Sequence, residues 1–151
     1  MSTTTPQPQT QESPEVLLVE DNLATSRLVE EAFTEVNDRT RTHVTEDGVD
    51  ALDFLHQRGD YASAPRPNLV LLDLGLPEKN GKSVLKELKE TGELQDIPVV
   101  VFSDSTAEQD IDDAYTLGAN AYVTKPGHFP DILAVVEDIN DFWLTAVRQP
   151  K

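Results

Sequence analysis

The stretch that most constrains the fold is Asn68-Leu-Val-Leu-Leu-Asp73. Leu69 to Leu72 are apolar without alternation, which reads as a short strand buried on both faces. Such strands belong to parallel sheets with helices packed on either side. Asp73 ends the run. A carboxylate directly after the strand stands at the sheet's carboxyl edge, where open parallel sheets bind ligands.

The rest of the chain repeats this grammar. Val16 to Val19 is a first strand, closed by Glu20 and Asp21. Asn22 is placed to cap the helix that follows. There Leu23, Leu28, Val29, Ala32, Phe33 and Val36 recur near helical spacing. Thr40 to Asp47 alternates weakly and is poor in apolar residues, as an edge strand would be. After the Asp47-Gly48 turn, Val49, Leu52 and Leu55 mark a second helix. Arg58 to Pro67 is a polar loop before the central strand.

Beyond that strand, Leu76 to Gly81 is a loop, and Val84, Leu85 and Leu88 mark a third helix. Ile97 to Phe102 is a fourth strand, with Pro98 tolerated at its start, and it is followed by Ser103. Ala107 to Leu117 is a fourth helix, stopped by Gly118 in the position of a left-handed cap. Ala121 to Thr124 is a fifth strand leading into Lys125 and Pro126. A last helix starts with Pro130 in its first turn and runs to about Ala146. Strands alternating with helices imply right-handed crossovers and a doubly wound parallel α/β sheet.

Size and charge narrow the function. The chain has 151 residues, enough for one domain with one real core. We expect a disordered tail over 1–14, a domain over 15–148 and no output domain. The tail is rich in Thr, Gln, Pro and Ser, and its prolines, Pro65 included, lack a recognition spacing worth pursuing. There is no cysteine, so neither a disulfide framework nor a thiolate metal site is available. No apolar run approaches the ~20 residues of a membrane span, and no secretory signal opens the chain; a cytoplasmic protein is expected. The net charge of −16 repels nucleic-acid backbones and argues against DNA binding. It is most tolerable where salt screens it, which points to a high-salt, halophilic cytoplasm.

Glu20, Asp21, Asp73, Ser103 and Lys125 therefore gather from four strand ends. A carboxylate such as Asp73 can attack phosphorus to form an acyl phosphate. Attacker and phosphoryl group are both anionic, so the site needs cations. Glu20, Asp21 and Asp73 offer the hard oxygen ligands that suit Mg2+, and a loop carbonyl just past Asp73 can supply another. Lys125 would neutralise a phosphoryl oxygen as a point charge, and the Ser103 hydroxyl can donate to a further one. Taken singly, each residue has a blander explanation. An acid after a strand is usually a cap or a solvated loop residue, Lys125 a surface lysine and Tyr122 a core residue. Their joint placement carries the reading. His43, His56 and His128 share no ligand spacing and are structural or solvated.

The two rivals are weaker. Gly75 to Ser83 follows a buried strand and precedes a helix, as a nucleotide hydrolase's phosphate loop would. It has one residue too many between its glycine and Gly81-Lys82-Ser83, and Pro77 removes an amide the loop would need. An aspartate-nucleophile phosphatase needs a second Asp two residues after the first, where Gly75 stands.

Val-Glu-Asp-Asn (19–22), Leu-Leu-Asp-Leu-Gly-Leu-Pro (71–77), Val-Phe-Ser (101–103) and Gly-Ala-Asn-Ala-Tyr-Val-Thr-Lys-Pro (118–126) resemble the CheY-like receiver domains of two-component response regulators. The Pro-Arg-Pro-Asn lead-in to the central strand and Asp-Phe-Trp-Leu (141–144) look further like the single-domain regulators that serve phytochromes, and acidic regulators of this kind occur in halophilic archaea. The resemblance implies a flavodoxin-like sheet in the order 2-1-3-4-5. It implies Asp73 as phosphoacceptor and Mg2+ held by Glu20, Asp21, Asp73 and the Gly75 carbonyl. Ser103 and Tyr122 would be the switch pair, and the bond before Pro126 would be cis. The donor would be a sensor histidine kinase or phosphotransfer protein, phytochrome-like on the narrower match. The protein would be a binding switch acting on a downstream protein target, rather than a turnover enzyme. Two positions depart from the pattern: Gly75, where a side chain usually tunes phosphoryl lifetime, and Asp104, where a small neutral residue is usual.

The last helix carries a surplus. Ile132, Val135, Val136, Ile139, Trp143 and Ala146 can cover the sheet, and Leu133, Phe142 and Leu144 widen the apolar arc to roughly 200° at 100° per residue. The excess points to a homodimer or target surface formed with the fourth helix and fifth strand. The plainer alternative folds Phe142 and Trp143 back over the domain's end.

Overall fold

The computed structural model describes residues 13–76 and 80–146. Most of the expected tail, the loop positions 77–79 and the end of the expected domain at 147–148 lie outside the described residues. The elements in chain order are β1 (Glu15–Val19), α1 (Leu23–Val36), β2 (Arg41–Thr45), α2 (Gly48–His56), β3 (Leu69–Leu72), α3 (Gly81–Glu90), β4 (Val99–Ser103), α4 (Glu108–Thr116), β5 (Ala121–Thr124) and α5 (Phe129–Ile139). All strand pairings are parallel, and the order is β2-β1-β3-β4-β5. That is the expected flavodoxin-like sheet, with the weakly apolar β2 at one edge.

The period of two along each strand sorts the core into two layers. Leu17, Val19, Val70, Leu72, Val99 and Val101 pack under α2, α3 and α4. Val16, Leu18, Leu69, Leu71, Val100 and Phe102 pack under α1 and α5. Both faces of β3 are covered, which is why its sequence is apolar throughout. Full burial of each leucine there is worth about 1.5–3 kcal/mol, so β3 is the part of the sheet least able to shift.

Helix ends follow local chemistry. Asn22, Asp47 and Asn80 each accept a backbone amide from three residues on, capping α1, α2 and α3. Gly118 takes the left-handed conformation after α4 (φ 109°), as its position predicts. Gln57 does the same after α2 without being glycine; its side chain is bonded to the Ala64 carbonyl and to Arg66, which hold the polar loop. Gly81 is required for a different reason. A Cβ there would stand 2.4 Å from the Asp73 carbonyl oxygen and 2.6 Å from the Leu74 Cα. Only glycine lets α3 begin this close to the end of β3.

Two expectations need correction. No peptide bond among the described residues is cis, so the bond before Pro126 is trans; the intrinsic preference between the isomers at an X-Pro bond is small, and trans is the favoured form. The last helix is also not one continuous α-helix. It is α-helical to Ile139, and Asn140–Ala146 continues as a π-helix. Hydrogen bonds to the fifth residue back widen the turn, so a fixed 100° step misplaces side chains beyond Ile139. Trp143 and Leu144 swing onto the α1/α5 layer, whereas Phe142 stays 57% exposed. The fold-back reading thus holds for Trp143 and fails for Phe142, whose ring meets Trp143 edge-on at 4.6 Å.

Candidate functional site

The sheet's own ladder carries the site residues past the strand ends. The Glu20 amide donates to the Thr45 carbonyl at 2.9 Å, the Asp73 amide to Val19 at 3.0 Å and the Lys125 amide to Ser103 at 2.9 Å. Each residue is fixed one step beyond regular pairing, at the carboxyl edge. They line a groove of about 1010 Å3 with Asp21, Gly75, Ser103 and Asp104.

Glu20 and Asp73 are buried, at 1% and 7% exposure, whereas Asp21 faces solvent. One carboxylate oxygen from each of Glu20, Asp21 and Asp73 lies within 4.8 Å of the others. Lys125 Nζ stands 2.8 Å from Glu20 Oε1 and 3.1 Å from Asp73 Oδ2. The second oxygens are held by amides: Asn22 donates to Glu20 Oε2 at 3.0 Å, and Gly75 to Asp73 Oδ1 at 3.1 Å. Burial pushes the Glu20 carboxyl above its ordinary value, against the pull of Lys125 and the Asn22 amide. Burial works to lower Lys125, but the Glu20 and Asp73 carboxylates outweigh it and hold the ammonium above its usual range.

One ammonium does not balance three carboxylates. Glu20 Oε1 is buried, and Lys125 at 2.8 Å is the cation that meets it. Hard oxygens of net charge near −2, converging on a groove open to water, suit a small divalent cation. The acidic set therefore fits Mg2+ or Mn2+, with Glu20, Asp21 and Asp73 as the residues that would hold it.

Ser103 ends β4, and its Oγ accepts the Ser105 amide at 3.2 Å. Tyr122 is half-buried against the α2/α3/α4 layer, and its hydroxyl donates to the Ser105 carbonyl at 2.8 Å. The expected pair is thus joined through one loop residue. Asp104 is 87% exposed and only reaches the margin of Lys125, at 4.0 Å, so its carboxylate faces water. The histidines lie elsewhere: His43 on Glu15, His56 on Glu87, and His128 exposed at the start of α5. Lys82 of the decoy motif bonds Asp110 and Asp113 on α4. No sequence signal paired them, because the partners lie 28 and 31 positions apart on neighbouring helices.

The family model described as the response regulator receiver domain matches residues 16–137. The chain belongs to that family. Its work is phosphorylation-based two-component signalling, with a histidine kinase as partner. The chain is 44% identical over 135 residues to response regulator Rcp1 of Synechocystis, covering 89% of this chain and 92% of Rcp1. It is 41% identical over 136 residues to the probable methanogenesis regulatory protein FilR2 of Methanothrix harundinacea, covering 89% and 86%. The crystal structure of the phosphorylated cyanobacterial phytochrome response regulator RcpA superposes with a TM-score of 0.87 at 41% identity, over 92% of this chain and 99% of that one. The Mn2+-bound form of Rcp1 gives 0.84 at 43% identity, over 91% and 99%. Receiver domains bind Mg2+ or Mn2+ at an acidic pocket, and the Glu20-Asp21-Asp73 cluster fits that description. Neither the phosphatase nor the nucleotide-hydrolase reading is supported.

Proposed function

We propose that Asp73 is the phosphoacceptor of a receiver domain spanning 15–148, charged by a phytochrome-like sensor histidine kinase or its phosphotransfer protein. The observation that carries this is the buried Asp73 carboxylate, held between the Lys125 ammonium and two further carboxylates. An Asp73 oxygen attacks phosphorus; the O–P bond forms as the N–P bond of the donor phosphohistidine breaks, and the imidazole leaves with its electron pair and takes up a proton. Mg2+, held by Glu20, Asp21, Asp73 and the Gly75 carbonyl, would offset the charge of the incoming group. Lys125 exchanges its contact with Asp73 for a phosphoryl oxygen, and the Ser103 hydroxyl donates to another. Moving Ser103 pulls on Ser105, and through its carbonyl on Tyr122, which couples the site to the α4–β5 face. The protein is a switch that turns over only its own phosphoryl group. Its place is the cytoplasm, where the kinase meets ATP. The test is incubation with acetyl phosphate: one phosphoryl group should be added in Mg2+ and none after chelation. Labelling that survives chelation would sink the reading.

The switched surface is proposed to be α4, β5 and the end of α5. Tyr115 of α4 and Phe142 are exposed, and β5 is an edge strand with partly exposed side chains. A homodimer formed there on phosphorylation should weaken about tenfold on Phe142→Ala, in keeping with the loss of an aromatic anchor, while Asp73 labelling persists. Sedimentation before and after activation decides it, and a monomer in both states leaves only a heterologous target.

The acidic surface is proposed to be an adaptation to high salt. Around α2, burial first, and then Asp47, Asp53, Asp60 and Glu46, raise the Asp50 carboxyl above its ordinary value, so like charges already strain one another there. Screening at 1 M shortens the Debye length to about 3 Å. The thermal midpoint should therefore rise from 0.1 M to 2 M KCl by roughly 3–7 °C, the shift of about 1–2 kcal/mol for a domain of this size. A flat or falling midpoint would count against it.

A further inference from the structure

Lys82 links the acceptor's backbone to the serine loop. Its neighbour Gly81 lies against the Asp73 carbonyl, closer than any Cβ would permit. Lys82 Nζ donates to Asp110 Oδ1 at 2.8 Å and to Asp113 Oδ2 at 2.9 Å. The other Asp110 oxygen accepts the Ser105 hydroxyl at 2.6 Å. The Ser105 amide then donates to Ser103 Oγ. A continuous series of hydrogen bonds and covalent links thus runs from the start of α3 to the hydroxyl beside the acceptor. Lys82, Asp110 and Ser105 border the same groove as Asp73 and Lys125.

The direction of the last bond matters. Ser103 Oγ accepts from Ser105, which occupies one lone pair and leaves the hydroxyl proton free to be donated. Fixing Ser105 restricts where that proton can point. Lys82, Asp110 and Asp113 side chains are each about one-third exposed, where ion pairs are screened and contribute little to stability. The Lys82 ammonium is held above its usual range by Asp110 and Asp113, so the clasp stays charged near neutrality.

We infer that Lys82 is a positioning residue for phosphoryl acceptance: through Asp110 and Ser105 it sets the Ser103 hydroxyl for donation to the phosphoryl group on Asp73. The inference rests on the roles of Asp73 and Ser103 proposed above. Lys82→Met keeps the apolar stem and removes the charge.

Initial labelling rates by acetyl phosphate at saturating Mg2+ should be measured for the wild type, Lys82→Met, Ser103→Ala and the double variant. Lys82→Met should slow labelling about fivefold. In the Ser103→Ala background it should change the rate by less than twofold, because the group it positions is gone. A merely structural lysine would cost the same in both backgrounds. Equal losses, or a Lys82→Met rate equal to wild type, overturn the inference alone. An unlabelled wild type overturns the acceptor reading itself, and the inference with it.

Discussion

Asp73→Asn should lower phosphoryl labelling by acetyl phosphate at least about a hundredfold, to background, with the fold intact. Asparagine matches aspartate in shape, and its carbonyl oxygen can still accept the Gly75 amide that now reaches Asp73 Oδ1 at 3.1 Å. What disappears is the anionic oxygen that attacks phosphorus. Charge alone is not the issue, since the substitution relieves repulsion with Glu20 and Asp21. A neutral amide is a poor nucleophile at phosphorus, and no other carboxylate takes its place: Glu20 is turned toward Lys125 and the Asn22 amide, and Asp21 is solvated. Intact-mass measurement after incubation with Mg2+ checks this. A mutant labelled as fully as the wild type would show that the nucleophile lies elsewhere.

Lys125→Met should split two quantities that usually move together. Lys125 is a half-buried cation touching both Glu20 and Asp73. Its removal takes away a preorganised charge at the place where a phosphoryl oxygen arrives, and the loss of one such group commonly costs about 10²–10³ in rate. The labelling rate should therefore fall about a hundredfold. Mg2+ affinity should move the other way, because the acid cluster loses the positive charge that competes with the metal ion. We expect a several-fold lower Kd for Mg2+, read by calorimetric titration. Weaker metal binding in this variant would mean that Lys125 supports the cation site rather than competing with it.

Much of this site is legible in the chain itself, for a physical reason. A strand covered on both faces has no room for polar side chains, so β3 must be apolar until it leaves the sheet. Asp73 is the first residue free to be charged. The same logic marks Glu20 after β1, while Ser103 is small enough to close β4 within the sheet; Lys125 follows an edge strand with partly exposed side chains and is marked only by its place at the strand's end. Local rules also place the caps at Asn22, Asp47 and Asn80, and the left-handed Gly118, since each depends on neighbours within a few residues.

What the tertiary structure decided are contacts between side chains far apart in sequence. Lys82 looked like part of a phosphate-loop decoy because its partners, Asp110 and Asp113, lie 28 and 31 positions away on another helix. The loop between Ser103 and α4 is written in short polar residues that carry no period, so the Ser105 links to Ser103, Asp110 and Tyr122 left no trace in the pattern. The end of α5 misled most. A uniform helical step through residue 146 puts Trp143 and Phe142 on one broad apolar arc, whereas the π-helix from Asn140 turns Trp143 inward and Phe142 outward. Periodicity shows which residues avoid water. Which face each one meets depends on the geometry of the turn beneath it, and here packing of Trp143 and Leu144 against the α1/α5 layer accompanies a turn that the apolar spacing did not reveal.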